Sequence, residues 1–509
     1  MKDRELSLKD FISCSKIPII IIFFFLLLSF GIKLISNSFS IDTEFYINHY
    51  NIDWNWWLGL NRWGLVLINN ILSIGPLILF HANFMTLVFI LIYSILFSYL
   101  FYLNMPKKFK DKYLKYQFIF PIVFITSPIF AEQYNFTNQN VAISLAVCLC
   151  AISLILFHYA DKLSKWKKIL INIVSLAIVV LAFGVYQSIV PLFILVVACL
   201  YFLECLRTKD NSWKFLGNMI IKFIIICIIY FIISKIVGGE NSYLQTGWSL
   251  YGIDCFKNIF GVIVSMLKCD TIFYNVSYLF AIIMIVGVNI YLFLKKKNNL
   301  GIVISSMGIL LAPFYIMIIT GVDQLKRTQF NYSFVIGFIF LITCILLITH
   351  KKSKYVGYFV LVLALGIAYK QSVISSNLFY SDNVRFQNDI ILATNIQNEI
   401  EEKDWYDSNV DYTLIILGNK PCSAVNCYLK GEVMGFSFFE FDYQYVYGPS
   451  QRANAFMKTL GYDYKEPTAE EFYMAKEYVK NNDIKIFPSE DSIIKIDNNT
   501  IIVRLSKKM

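Results

Sequence analysis

The sequence predicts a polytopic α-helical membrane protein with a small α/β domain at its C-terminal end. Three observations predict it. Of the 509 residues, 57% are hydrophobic and 16% are charged, a balance too apolar for a soluble globule of this length. Apolar runs of bilayer-crossing length recur along the first two thirds of the chain, at the roughly twenty residues a spanning helix needs. Lys and Arg gather in alternate short loops, as cytoplasmic loops of membrane proteins do. The net charge of +10 therefore belongs to loop topology, and no nucleic-acid partner is expected.

About eleven spanning helices follow, near 17–35, 83–103, 117–130, 139–158, 169–187, 190–204, 215–237, 272–294, 299–319, 331–349 and 355–369. The leader carries Lys2, Arg4, Lys9 and Lys16 before a full-length apolar segment and shows no signal-peptide cleavage pattern. On its side lie the loops with Lys107 to Lys115, Lys162 to Lys168, Arg207 to Lys214, Lys295 to Lys297 and Lys351 to Lys354. The opposite loops hold Asp42, Glu44, Asp53, Glu132, Glu240, Asp254, Asp270 and Asp323. The N-terminus is thus expected in the cytoplasm. Residues 65–80 are apolar enough to span, but a crossing there would invert every later loop. They read as a surface or re-entrant helix interrupted at Gly75-Pro76. Phe256 to Leu267 reads as an amphipathic helix in the longest outer loop.

Residues 1–369 form the expected membrane module and 370–509 an extracytoplasmic α/β domain of about 140 residues. Val410 to Leu417 reads as a buried strand ending at Gly418. Thr468-Ala469-Glu470-Glu471 reads as a capping box, and Ile493–Ile496 with Thr500–Leu505 as a hairpin. Cys422 and Cys427 flank four residues in a compartment that permits a disulfide, paired and free forms both being open. No Cys/His spacing suggests zinc.

Groups with chemical potential converge on the outer side. Asp42 and Glu44 follow the first span and precede the aromatic run Asp53-Trp54-Asn55-Trp56-Trp57. They read either as a base with an orienting partner, as a pair holding a divalent cation, or as a solvated loop. Glu132-Gln133-Tyr134-Asn135 to Asn140 offers a carboxylate, amides and rings. Such loops suit sugar hydroxyls and equally suit interfacial anchoring. Arg62, Lys235 and Arg327 are scarce outer cations, read as phosphate ligands or as side chains snorkelling to head groups. His49 and His81 are proton shuttles or solvated histidines. Tyr186 and Gln187 line a cavity or pack.

Ser40-Ile41-Asp42-Thr43-Glu44, Asn61-Arg62-Trp63-Gly64, Glu132 to Thr137 and Gly184-Val185-Tyr186-Gln187 together resemble the bacterial glucosyltransferase-II family. Gly435-Phe436-Ser437 to Asp442 and the hairpin after Phe487-Pro488 resemble that family's tail. An acidic residue in the first outer loop is also similar to the GT-C superfamily. The resemblance implies a multi-pass enzyme of the bacterial plasma membrane. Its donor would be a polyprenyl-phosphate-linked sugar, typically glucose, and its acceptor a surface polysaccharide. Asp42 would be the base, with Glu44 or Glu132 orienting sugar or acceptor. Trp57, Tyr134, Tyr186 and Gln187 would contact substrate. Arg327, then Arg62 or Lys235, would stabilise the leaving phosphate. No metal and no organic cofactor is expected. The rival reading is a flippase or assembly factor for lipid-linked glycans. Against it stand largely apolar helix interiors and no repeated halves.

Overall fold

The structure, a computed structural model, describes residues 5–48, 54–72, 78–238, 247–297, 299–442 and 446–508. His49, Asp53, Gly75-Pro76 and Glu240 lie outside the described residues. The helices are α1 Leu8–Cys14, α2 Lys16–Ile35, α3 Thr43–Asn48, α4 Trp54–Gly59, α5 Trp63–Ile71, α6 Leu79–Asn104, α7 Lys110–Tyr116, α8 Ile119–Ile125, α9 Pro128–Tyr134, α10 Asn140–Ala160 and α11 Lys165–Val185. They continue as α12 Ile189–Thr208, α13 Trp213–Val237, α14 Gly247–Tyr251, α15 Asp254–Lys268, α16 Ser277–Leu294, α17 Leu300–Leu311, α18 Tyr315–Thr320, α19 Asn331–Thr349, α20 Lys354–Glu401, α21 Ser450–Thr459 and α22 Ala469–Asn481. The strands are β1 Thr413–Leu417, β2 Ile493–Lys495 and β3 Thr500–Arg504.

Ten helices among the described residues are long and apolar enough to cross a bilayer; the protein is a membrane protein. Burial orders them. Helix α19 is enclosed almost all round, whereas α13 turns Ile221, Ile224, Ile228 and Phe231 outward. In a membrane that apolar face meets lipid at no cost.

The expected crossing at 117–130 is not one helix. It is α8 and α9, broken at Thr126-Ser127-Pro128. Pro128 has no N–H and opens the second piece. A backbone group released at the break finds a partner on α20: Ser375 donates to the Thr126 carbonyl at 2.8 Å, and beside it the Thr126 hydroxyl donates to Gln371 at 2.9 Å. Buried irregular backbone survives on such terms. The broken piece still returns the chain through the bundle. Asn140 at the start of α10 donates to Asn83 near the start of α6, and Tyr99 and Tyr159 bond near their far ends. The two helices are therefore parallel neighbours, and residues 105–139 lead from one end of the bundle back to the other.

The last expected span, 355–369, continues to Glu401, so the boundary expected at 369/370 falls inside α20. No Pro interrupts the sequence from Lys354 to Glu401, and no Gly after Gly366. At 1.5 Å per residue its 48 residues reach about 72 Å, well over a hydrocarbon core of about 30 Å. The first half is apolar. The second half carries Asp382, Arg385 and Asp389 on one face at i, i+3 and i+7.

The C-terminal unit packs on that second half. Strand β1 runs parallel to β3, and β2 antiparallel to it, in the order β1-β3-β2. All five β1 residues are buried, as a strand covered on both faces requires. Leu414 and Ile416 face Ile396 and Phe456; Ile415 and Leu417 face Phe472 and Val479. The expected strand, hairpin and capping box are all present, with Gly418 at positive φ after β1. Cys422 and Cys427 are both free thiols. Phe256 to Leu267 lies within helix α15.

Candidate active site

At the end of the bundle opposite its lysine-rich loops, a cavity of about 530 Å³ opens between helix ends. Asp42, Trp57, Arg62, Tyr186, Gln187 and Arg327 all line it, from four separate stretches of chain. Phe136, Gln139, Tyr230 and Ile319 complete much of its wall.

Each side chain is placed by a local cause. Asp42 sits in a turn closed by the Thr43 N–H on the Ser40 carbonyl at 3.1 Å, just before α3. Its φ of 75° is left-handed, a conformation Asp tolerates better than most side chains. About half of its side chain is exposed. Arg62 is fixed by the meeting of α5 and α11. A Cβ on Gly64 would lie 2.7 Å from Gly184 backbone, and one on Gly184 would lie 2.6 Å from the Trp63 ring. Only glycine at both positions allows the helices this close. The contact sets the Arg62 guanidinium 4.8 Å from the Tyr186 ring centre and 5.2 Å from Trp57. Arg62 also donates to Gln139 at 3.1 Å. Tyr186 donates to Gln133 at 2.9 Å, and Gln187 to the Leu60 carbonyl at 2.7 Å.

Arg327 lies 4.5 Å from the Phe136 ring centre, in a 3-10 turn at Lys326–Thr328. Glu432 of the C-terminal unit holds this turn by accepting from the backbone N–H groups of Lys326 and Arg327 at 2.7 and 3.2 Å. Among the described residues the Arg327 guanidinium has no ion-pair partner, so its charge is available to the cavity.

Asp42 and Glu44 do not form an open pair for a cation. They meet a guanidinium that sequence reasoning missed, Arg452 on α21. One Arg452 nitrogen contacts Asp42 at 3.1 Å and Glu44 at 2.5 Å, and the other faces Asp442 at 2.7 Å. Burial pulls the Arg452 pKa down, but Glu44, Asp42 and Asp442 together hold it above its ordinary value. Glu44 is fully enclosed and does not line the cavity. Burial pushes its carboxyl up to about 8, against the pull of Arg452 and with the charge of Asp42 adding to the push.

Glu132, Tyr134 and Lys235 also lie away from the cavity wall. Glu132 accepts from the N–H groups of Val433 and Met434 at 2.5 and 3.2 Å. A Cβ on Gly431 would lie 2.0 Å from its carboxylate, so only glycine lets that loop approach. Burial pushes Glu132 up to about 7, with Glu432 adding to the rise. Tyr134 packs in the core against Phe30 and Phe130. Lys235 is exposed on α13, over the ring of Phe231. His81 is exposed at the start of α6.

A buried polar chain ties the two units together. Lys33 donates to Asn135 at 2.8 Å, Asn135 to Asp382 at 3.1 Å, and Arg385 to Asp382 and Asp389 at 2.6 and 3.4 Å. Asp382 accepts from Gly435 N–H at 3.0 Å; Asp389 accepts from the Ser437 hydroxyl and the Phe438 N–H at 2.5 and 3.1 Å. Loop 431–438 is thus gripped by three carboxylates, and its own Glu432 positions Arg327. The i, i+3, i+7 charges of α20 were the signal for this clasp. Arg452 left none, because Asp42 and Glu44 lie about 410 residues away.

A family model described as Glucosyl transferase GtrII matches residues 31–344. The match takes in the first three resembling motifs and Gly184 to Gln187, and ends before the clasp loop. No curated protein and no solved structure matches the chain. A cavity built from the motifs of the matched region, in a bundle of apolar helices, agrees with that match: the chain belongs to the GtrII glucosyl transferase family, a family of membrane glycosyltransferases in which this protein is a member.

Proposed function

We propose that the protein moves a sugar, glucose in the first instance, from a polyprenyl-phosphate donor to a hydroxyl of a cell-surface polysaccharide at the extracytoplasmic face of the plasma membrane. The observation that carries this reading is the convergence of Asp42, Arg62 and Arg327 with Trp57, Tyr186 and Gln187 on one cavity. The lysine-rich loops would lie in the cytoplasm by the positive-inside rule, which turns the cavity and the C-terminal unit outward.

The acceptor oxygen attacks the anomeric carbon while Asp42 takes the hydroxyl proton. The bond from that carbon to the phosphate oxygen breaks, and polyprenyl phosphate leaves with the electron pair. Arg327, and Arg62 on its aromatic supports, face the charge that develops on the phosphate. Trp57 and Tyr186, buried against Arg62, shape the wall around the sugar, and Gln187 and Gln139 meet its polar edges. Glu44 acts through Arg452 as a positioning residue, and Glu132 positions the loop that carries Glu432.

The test is transfer of labelled glucose from synthetic polyprenyl-phosphate glucose to surface polysaccharide by the purified full chain in lipid nanodiscs. Transfer by wild type and its loss in Asp42→Asn are expected. In sealed proteoliposomes of the same protein, movement of the lipid-linked sugar across the bilayer without transfer would overturn the reading in favour of a flippase.

A further inference from the structure

Two more cavities lie where α3 meets the C-terminal unit, and neither shares a lining residue with the 530 Å³ cavity. One, of about 340 Å³, is lined by Phe45, Asp442, Tyr447, Gly448, Gln451 and Arg452. The other, of about 440 Å³, includes Asn48, Tyr412, Asn454, Lys458, Tyr464 and Glu466 in its wall. Helix α21 joins them. Gln451, Asn454, Ala455 and Lys458 are spaced i, i+3, i+4 and i+7, so they form one stripe about 10 Å long. Gln451 of the first cavity donates to Glu466 of the second at 3.3 Å. At the other end, Arg452 contacts both Asp442 in the first cavity and Asp42 in the 530 Å³ cavity. The three cavities therefore succeed one another, with Asp42 and Arg452 at the first junction.

The lining selects the chemistry of an occupant. Asn454 is 3% exposed and its amide nitrogen donates to the Leu414 carbonyl at 2.8 Å, yet its Oδ1 has no hydrogen-bond partner among the described residues. A buried acceptor left unpaired is costly, and this oxygen is closed to solvent, so a ligand hydroxyl would reach it only as the cavity wall shifts. The cations are already matched: Lys458 with Asp463 at 3.0 Å, Lys465 with Asp411 at 3.3 Å, and Arg452 with three carboxylates. Among the described residues each cation lining these cavities already has a carboxylate beside it, which disfavours a phosphate or a polyanion. Rings, amides and carboxylates around an unpaired acceptor suit a neutral, hydroxyl-rich chain.

We infer that the stripe of α21 from Gln451 to Lys458, with the two cavities at its ends, binds several consecutive units of the acceptor glycan and delivers one hydroxyl to Asp42. The inference rests on the proposed glycosyltransferase activity and adds to it where the acceptor lies. The near cavity holds the unit that reacts or its neighbour. The far cavity holds a unit further along, so a long acceptor reaches Asn454 and a short one does not.

The experiment uses the full chain in nanodiscs with polyprenyl-phosphate glucose. The acceptors are fragments of the surface polysaccharide released by partial acid hydrolysis and sorted by length. In wild type, acceptor KM should fall as fragments lengthen. Asn454→Ala, and Lys458→Ala at an exposed position, should raise KM for long fragments about tenfold and leave that of the shortest unchanged. Gln451→Ala should raise KM for all lengths, while donor KM stays within about twofold. Wild-type transfer with a length-independent KM, or variants equal to wild type, overturns the inference and leaves the activity standing. If wild type transfers nothing, the activity reading fails. The same fragments titrated without donor then decide the stripe: tighter binding with length, weakened by Asn454→Ala and Lys458→Ala, upholds it, and length-independent binding overturns it.

Discussion

A single nitrogen of Arg452 donates to Asp42 at 3.1 Å and to Glu44 at 2.5 Å. The proposed base and its buried neighbour are thus held by a side chain from the far end of the sequence. Arg452→Gln should lower kcat about 100-fold or more, because it frees Asp42 and leaves Glu44 buried without its partner. Glu44 then loses the donor it accepts from, and a buried polar group left unpaired costs about 1–3 kcal/mol, so the melting temperature should fall too. Arg452→Lys should recover part of kcat. Steady-state kinetics and thermal unfolding of both variants check this.

Asp42 and Glu44 should separate on substitution. Asp42→Asn removes the exposed oxygen proposed to take the proton, and kcat should drop by about 10² to 10⁴. Glu44 is enclosed, with its carboxyl pushed up to about 8, so near neutral pH an amide resembles the protonated side chain already there. Glu44→Gln should cost under about tenfold in kcat. Equal losses in the two variants would contradict the assignment.

Arg327 is the cavity cation whose guanidinium has no ion-pair partner among the described residues. Arg327→Ala should weaken donor binding by about 1.5–3 kcal/mol, the range for hydrogen bonds to charged groups, or roughly tenfold to a hundredfold in Kd. Lys235→Ala, on the outward face of α13, should change donor Kd by less than about twofold. Titration with a non-hydrolysable donor analogue reads both.

Glu132 ties the two units together through a carboxyl whose folded pKa, about 7, is above the ordinary 4.5. The folded state therefore binds this proton more tightly than the unfolded chain does. Its stabilising contribution is complete below pH 4.5 and is lost as pH rises to about 7. At about 1.4 kcal/mol per pKa unit the loss is roughly 3 kcal/mol. The melting temperature should decline between pH 5 and 8, and Glu132→Gln, which keeps an acceptor oxygen but cannot ionise, should flatten the decline. A melting profile as steep in the variant as in wild type counts against a buried, proton-holding clasp.

The residue pattern alone determined the membrane class, the place of most long helices, the strand, the hairpin and the capping box. Those features depend on composition and on periods of 3.6 and 2, which are local quantities. Six of the ten site residues singled out in the sequence came together for a related reason. Polar side chains between apolar helices collect at helix ends, and helix ends on one side of a bundle are neighbours.

Tertiary structure alone decided the rest. The break at Thr126-Ser127-Pro128 is tolerated because Gln371 and Ser375 on a distant helix satisfy it. Helix α20 outlasts its apolar run because the C-terminal unit covers Asp382, Arg385 and Asp389. Glu132, read as a possible sugar ligand, is taken up by backbone N–H groups some 300 residues on, and Arg452 reaches Asp42 across a still longer interval. Carboxylates and guanidiniums act through space over a few ångströms, and the sequence carries no period that records which of them will meet.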